Sequence, residues 1–269
     1  MPPDRPSLPG RLPAWAGTIR AWFVLRAVTA AIFATAGLRL VYWITRLAGE
    51  SPGSLGVDYG IHVRAAQRWL EGASFYEPWQ LAGPYLLRGV GEVLYPPVAL
   101  PLFLPFTVLP AVLWWAIPAA LALAAVRRIR PRLEAWPVIA LLCLYPRSQE
   151  VVLWGNPTMW VLAFALGGVA WGWPGALVLL KPSLVLFAAF GARTRGWWLT
   201  GAALALAGLL LAGMWPEWFT VLRNAQGAGP LYSLIDVPTM SIAVVAALGR
   251  TGGRSSAFAA SGRPIDSGR

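Results

Sequence analysis

The chain has 269 residues, 57% of them hydrophobic and 12% charged, with a mean hydropathy of +0.58. Charged residues stand at about half their share in soluble domains, and surface-to-volume scaling leaves a soluble fold of this length unable to bury so much apolar side chain; a disordered chain, a collagen repeat and a secreted disulfide scaffold are excluded, and an all-α polytopic membrane protein is expected. The net charge of +11 rests on 21 Arg and one Lys, clustered beside apolar runs, which fits membrane-flanking loops and anionic headgroups rather than a nucleic-acid partner.

In chain order, residues 1–20 are rich in Pro and Arg and read as a cytoplasmic tail. The apolar stretch from Ala21 to Leu47 is too long for the core of a signal peptide, which runs to roughly 15 residues, and reads as a first transmembrane helix. Arg5, Arg11 and Arg20 precede it, so the N-terminus belongs inside and the next loop outside. That loop, residues 48–95, holds Glu50, Asp58, Glu71, Glu77 and Glu92 against Arg64, Arg68 and Arg88, a net charge of −2 in a basic chain. Within it, Tyr59 to Leu70 has helical periodicity, with Ile61, Ala65 and Trp69 on one face and Arg64, Gln67, Arg68 and Glu71 on another. An amphipathic helix at the membrane surface is expected there, bracketed by Gly60 and Gly72.

From Val93 to Val126 no charge occurs for 34 residues, too long for one span of about 20 and short for two. Six prolines in this stretch, Pro96 to Pro118, predict kinked or broken helices. A cluster of Arg127, Arg128, Arg130 and Arg132 follows. A further span runs over Leu133–Tyr145, then a polar turn over Arg147–Glu150, then a span from the Trp154-Gly155-Asn156-Pro157 turn to Trp171. Residues 174–192 carry Lys181-Pro182-Ser183 inside an apolar run, as one span with a buried Lys or as two half-helices meeting at a polar tip. Residues 196–214 form another span, and 216–240 a polar loop. The region 21–249 is read as one transmembrane domain; beyond it, 250–269 is a disordered or frame-shifted tail, and a truncated C-terminus is the expectation.

Lone Cys143 and lone His62 exclude an internal disulfide and a multi-histidine metal site, and no Walker loop is present. No cofactor and no metal are expected. Asp58 has two readings. It caps the helix that follows, or it is a general base in a partly dehydrated cleft, with His62 one turn on as an assisting group. Lys181, the one lysine, is an ionisable group at membrane depth that requires a partner, for which a phosphate is suited. Gln149, Glu150, Asn156 and Thr158 form a polar patch beside Arg147, able to bond sugar hydroxyls, with Trp154 or Trp160 to stack on a pyranose ring. The Trp pairs at 114–115, 171–173 and 197–198 read as interfacial anchors.

Gly56-Val57-Asp58-Tyr59 with the Arg64-to-Gly72 helix, Tyr76, Tyr95-Pro96-Pro97, Trp154-Gly155-Asn156 and Lys181-Pro182 follow one another in an order that resembles glycosyltransferase family 87. These are polyprenyl-phosphate-mannose-dependent, α-1,2-mannosyltransferase-like enzymes with the membrane-embedded GT-C fold. The resemblance spans about residues 20–248. It implies a GT-C-like helical bundle and a long extracytoplasmic first loop, and the Arg-heavy, nearly Lys-free composition points to a bacterial plasma membrane as its setting. The implied reaction is inverting transfer of a hexose from a polyprenyl-phosphate sugar to a lipid or glycan hydroxyl. Asp58 falls on the catalytic base, with Lys181, Arg147 and Arg64 toward the donor phosphate and Tyr95, Gln149 and Asn156 toward sugar or acceptor. Two departures stand: Gly155-Asn156-Pro157-Thr158 replaces the family's Gly-Gln-x-Asn, and several C-terminal helices are lacking. A lipid or solute transporter and an inactive truncated remnant are the alternative readings.

Overall fold

The computed structural model describes residues 14–87, 91–227 and 234–250. Most of the expected N-terminal tail and all of the C-terminal tail past Arg250 lie outside the described residues. Among the described residues the fold is mostly helical, with one two-stranded pair, consistent with the all-α expectation.

The first apolar stretch forms α1 (Ala14–Glu50), unbroken over 37 residues. Its threonines do not interrupt it, because Thr29, Thr35 and Thr45 turn their hydroxyls back onto carbonyls one turn earlier. Phe23, Leu38 and Val41 on this helix remain exposed. A short 3-10 turn (Pro52–Ser54) leads to α2 (Val57–Leu70). The amphipathic pattern holds: Ile61, Val63, Ala65 and Ala66 are buried, whereas Arg64 and Gln67 are exposed. The helix starts earlier than the periodicity indicates. Gly56, in the left-handed region at φ 68°, opens it, and Gly60 lies inside it.

Beyond α2, α3 (Pro78–Ala82) is opened by a capping box between Glu77 and Gln80. Strand β1 (Tyr85–Leu86) then pairs in parallel with β2 (Ala225–Gln226). The charge-free stretch from Val93 is broken, as its prolines predict. A short helical piece, Pro97–Thr107, contains α4 (Leu100–Phe103); the chain breaks near Pro110 and continues as α5 (Val112–Ile129), which keeps Pro118 in its interior. Next come α6 (Ala135–Leu144), α7 (Pro146–Leu153) and α8 (Thr158–Trp171). The expected polar turn at Arg147–Glu150 is helical instead, because Pro146 occupies the first helical position, where its missing N–H costs nothing. Between α7 and α8 the axis bends by 111°.

Lys181 separates two 3-10 helices, Trp173–Leu180 and Pro182–Ala189, so the two-half-helix alternative describes this segment. They pack closely on α8: a Cβ on Gly168 of α8 would stand 2.7 Å from the Phe190 carbonyl oxygen and 2.8 Å from the Gly175 Cα. Then follow α9 (Arg195–Leu210) and α10 (Trp215–Asn224). The expected loop at 216–240 is thus helical through Asn224. The chain resumes in α11 (Val237–Leu248).

Within the core, α5 lies along α8, α8 along the 3-10 pair, α1 along α6, and α11 against α6 and α8. Phe75, Phe103, Phe106, Trp114 and Trp160 form a continuous aromatic cluster. Two polar stretches far apart in sequence meet at one end. Ser74 donates to Glu217 at 2.8 Å, Trp218 Nε1 to the Leu94 carbonyl at 3.1 Å, and Asn224 to the Gln80 carbonyl at 2.9 Å. Among the described residues two helices, Ala21–Glu50 and Val112–Ile129, are long and apolar enough to cross a membrane, and up to four segments are if each of two bent helix pairs is one span.

Candidate functional site

The site is built where the start of α2 meets the turn between α7 and α8. The first amides of an α-helix have no partner within it. Here the Gly56 amide donates to the Leu153 carbonyl at 2.9 Å, and those of Asp58 and Tyr59 to the Trp154 carbonyl at 2.9 and 3.2 Å. The end of α7 thus caps the start of α2. Gly155 makes the turn possible. Its φ is +66°, and a Cβ there would stand 2.8 Å from Trp115 and 2.9 Å from Tyr59. The indoles of Trp114 and Trp115 clamp the turn by donating to the Gly155 and Val152 carbonyls, each at 2.7 Å. This corrects the interfacial-anchor reading of that pair: Trp114 is fully buried.

Asp58 therefore lies in the first turn of α2 rather than at its cap, and makes no capping bond. Its Oδ2 accepts from the Asn156 side-chain amide at 2.6 Å. Among the described residues no hydrogen bond reaches Oδ1. Burial pushes the Asp58 carboxyl above the ordinary carboxylate range, although the Asn156 hydrogen bond and the Arg147 and Lys181 charges oppose the shift.

His62 does not approach the Asp58 carboxylate. Its Nδ1 donates to the Asp58 backbone carbonyl at 2.6 Å, which leaves Nε2 as the acceptor nitrogen, buried and without a partner. The ring stacks on Phe103 and meets Tyr95 edge-on. Burial depresses the His62 pKa to about 4, with Lys181 adding to the effect and the bond to Asp58 opposing it. His62 is thus a neutral, packed group that shapes the start of α2.

From Asn156 the polar chain continues inward. Its Oδ1 accepts from the Thr158 amide at 2.9 Å and is 2.7 Å from the Thr158 hydroxyl. That hydroxyl also lies 2.9 Å from Asp236 Oδ2 and accepts from Lys181 Nζ at 2.7 Å. Lys181 donates to Asp236 Oδ2 and Arg147 Nε to Asp236 Oδ1, both at 2.8 Å. Arg147 also reaches Glu150 at 3.4 Å and lies over the Trp154 ring. Burial alone would raise the Asp236 carboxyl, but the two cations and their hydrogen bonds outweigh it and hold the carboxyl below its usual range.

Two of the three cations expected to face a donor phosphate, Lys181 and Arg147, are therefore already paired, and with the same internal carboxylate. The acid itself, Asp236, was not singled out from sequence. Its available signal was a carboxylate directly before a proline-led apolar run, Val237-Pro238 onward, a place where a charge requires a partner. The other expected contacts scatter. Arg64 lies on the exposed face of α2, outside this network. Tyr95 is buried, accepts from the Tyr76 hydroxyl through its carbonyl at 3.0 Å, and presents its ring to Lys181 Nζ at 5.9 Å. Gln149 turns away toward α1 and donates to the Ala36 carbonyl at 3.1 Å. Trp160 sits in the aromatic cluster rather than on a surface open to a sugar ring.

The assembled set is a hydrogen-bonded line from Asp58 through Asn156 and Thr158 to the Lys181–Asp236–Arg147 group, contributed by α2, α7, α8, the junction of the two 3-10 helices and the residue preceding α11. Chemically it offers one carboxylate with a free oxygen and a raised proton affinity, beside a buried cluster in which one carboxylate serves two cations. Among the described residues no three of His, Cys, Asp and Glu group as metal ligands would. No protein-family model, curated protein or solved structure matches the chain.

Proposed function

We propose that this chain is a multi-pass membrane glycosyltransferase of GT-C-like architecture, with Asp58 as its general base. It transfers a hexose, mannose first among those to test, from a polyprenyl-phosphate sugar to a lipid or glycan hydroxyl at the extracytoplasmic face of a bacterial plasma membrane. The observation that carries the reading is the state of Asp58. One oxygen is held by Asn156, the other is free, and burial raises its proton affinity toward the range a general base needs. In the reaction the acceptor oxygen bonds to the anomeric carbon as its proton passes to Asp58. The bond from that carbon to the phosphate oxygen breaks with inversion, and polyprenyl phosphate leaves. Lys181 and Arg147 stabilise the departing anion, which then shares them with Asp236.

The test is transfer from labelled polyprenyl-phosphate mannose in membranes expressing the chain, beside Asp58→Asn at equal expression. Transfer in the wild type and its loss in the variant support the reading. Equal transfer in both removes Asp58 as base.

A transporter is the second reading, favoured by one observation. Lys181 stands where two short helices meet, paired with Asp236, and a broken helix with an ionisable tip is a recurrent coupling site. Uptake into proteoliposomes that depends on Lys181, with no sugar transfer, would select it.

A further inference from the structure

A cavity of about 340 Å³ lies between α1, α6, α7, α8 and α11, and no residue of the Asp58 line is in its lining. Phe33, Ala36, Gly37 and Leu40 form its α1 wall, at the spacing of a single helix face. Met159, Leu162 and Ile242 line the opposite side, so the interior is hydrocarbon in character. An apolar cavity of about 150 Å³ accepts a benzene ring. This one has more than twice that volume.

Next to it is a second cavity of about 230 Å³, whose wall carries Arg39, Glu150, Trp43 and Trp154. Gln149 belongs to the walls of both. It is 5% exposed, and its Nε2 is committed to the Ala36 carbonyl, which fixes the orientation of the amide. The other end, Oε1, is buried with no hydrogen-bond partner. A buried acceptor of this kind is costly to leave unpaired, and what it lacks is a donor. A bare phosphate or carboxylate would not supply one; a hydroxyl would. Arg39 and Glu150 offer one donor group and one acceptor group at the same mouth, with opposite charges, which suits an uncharged polyol better than an anion.

We propose that the paired cavities form a binding site for a membrane lipid with an uncharged, hydroxyl-bearing head group. Its apolar chain fills the larger cavity against α1, and its head-group hydroxyl donates to Gln149, with Arg39 and Glu150 beside it. The assignment does not depend on the transferase reading: none of these residues carries a step of the proposed transfer, although Glu150 also pairs with Arg147 of the Asp58 line at 3.4 Å.

Gly37 gives a clean test. A Cβ built on it meets nothing within 4 Å, and its backbone lies outside the left-handed region. A larger side chain there enters the cavity without backbone strain. The purified full chain in detergent is incubated with a monoacylglycerol carrying a diazirine in its acyl chain, irradiated, and mapped by peptide mass spectrometry. The corresponding fatty-acid methyl ester, which lacks the hydroxyls, is the comparison probe. The expected result is labelling concentrated on residues 33–40 and 159–162, reduced by about fivefold or more in Gly37→Phe and in the milder Gly37→Leu. Gln149→Leu should remove about a fivefold preference for the monoacylglycerol over the ester, the size of one hydrogen bond. Labelling spread over the exposed helix faces, or unchanged in both folded Gly37 variants, overturns the site. A preference that survives Gln149→Leu overturns the assigned role of the hydroxyl.

Discussion

The side-chain amide of Asn156 donates to the Asp58 carboxylate at 2.6 Å, across 98 residues of chain. The bond favours the charged form of Asp58 against the desolvation that raises its pKa. Removing it in Asn156→Leu deletes an influence that lowers the pKa, so the Asp58 pKa rises further. The rising limb of the pH profile for transfer should move toward alkaline pH. The protonated-carboxyl infrared band, assigned by its loss in Asp58→Asn, should persist to higher pH than in the wild type. An unmoved band would show that Asn156 does not set the proton affinity of Asp58.

Asp236 is the keystone of the buried charges, since its two oxygens serve Lys181 and Arg147 separately. Removing one partner of a buried ion pair leaves an uncompensated charge and costs about 3–5 kcal/mol. Asp236→Asn should therefore lower stability by about that amount in detergent unfolding. The double variant Lys181→Met with Asp236→Asn should be less damaging than the sum of its parts, by about 1 kcal/mol or more. Simple additivity would mean that the pair makes no mutual contribution.

His62 makes the fold sensitive to acid. Its pKa in the folded chain is about 4 against 6.5 for the free side chain, so the folded state resists a proton that the unfolded chain accepts. The native state holds full advantage above pH 6.5 and loses it as pH falls toward 4. The size is about 3 kcal/mol at and below pH 4. His62→Phe, which retains a ring against Phe103, should flatten this part of the stability profile. A profile equally steep in the variant would assign the acid sensitivity to other groups.

Gly155 holds the α7–α8 turn in a left-handed conformation with two neighbours within 3 Å of any Cβ. Gly155→Ala combines a backbone penalty of about 1–2 kcal/mol with overpacking of about 1–3 kcal/mol. A loss of at least about 2 kcal/mol in thermal or denaturant unfolding is expected. It should be accompanied by a change in the fluorescence of Trp114 and Trp115, whose indoles bond to this turn. Gly72→Ala, left-handed as well but with open space around the Cβ, carries only the backbone part and is the matched control.

Several features are legible in the residues alone. The buried face of α2 followed from its 3.6-residue period, and the break at Lys181-Pro182 from a charge and a proline inside an apolar run. The helix at Arg147–Glu150 was not legible as one. Four polar residues after a proline look like a turn, and only the packing of α7 beneath the start of α2 shows that Pro146 begins a helix. Trp114 and Trp115 misled for a similar reason. An indole pair at the start of an apolar helix reads equally as a membrane anchor or as two donors waiting for carbonyls, and the carbonyls of Val152 and Gly155 lie about forty residues downstream.

The sequence by itself determined the class of solvent-excluding surface, the apolar helices and their breaks, and the presence of charges too costly to leave unpaired at depth. These depend on composition and local periodicity, which act within one or two helical turns. Only the tertiary structure decided how those charges are satisfied. Asp58 meets Asn156, and Lys181 and Arg147 share Asp236, because the meeting of α2, α7, α8 and the residues before α11 brings together groups between 55 and 98 residues apart. Local sequence carries the need for a partner; long-range packing supplies its identity, since desolvation fixes the cost of burying a charge without specifying which distant group will relieve it.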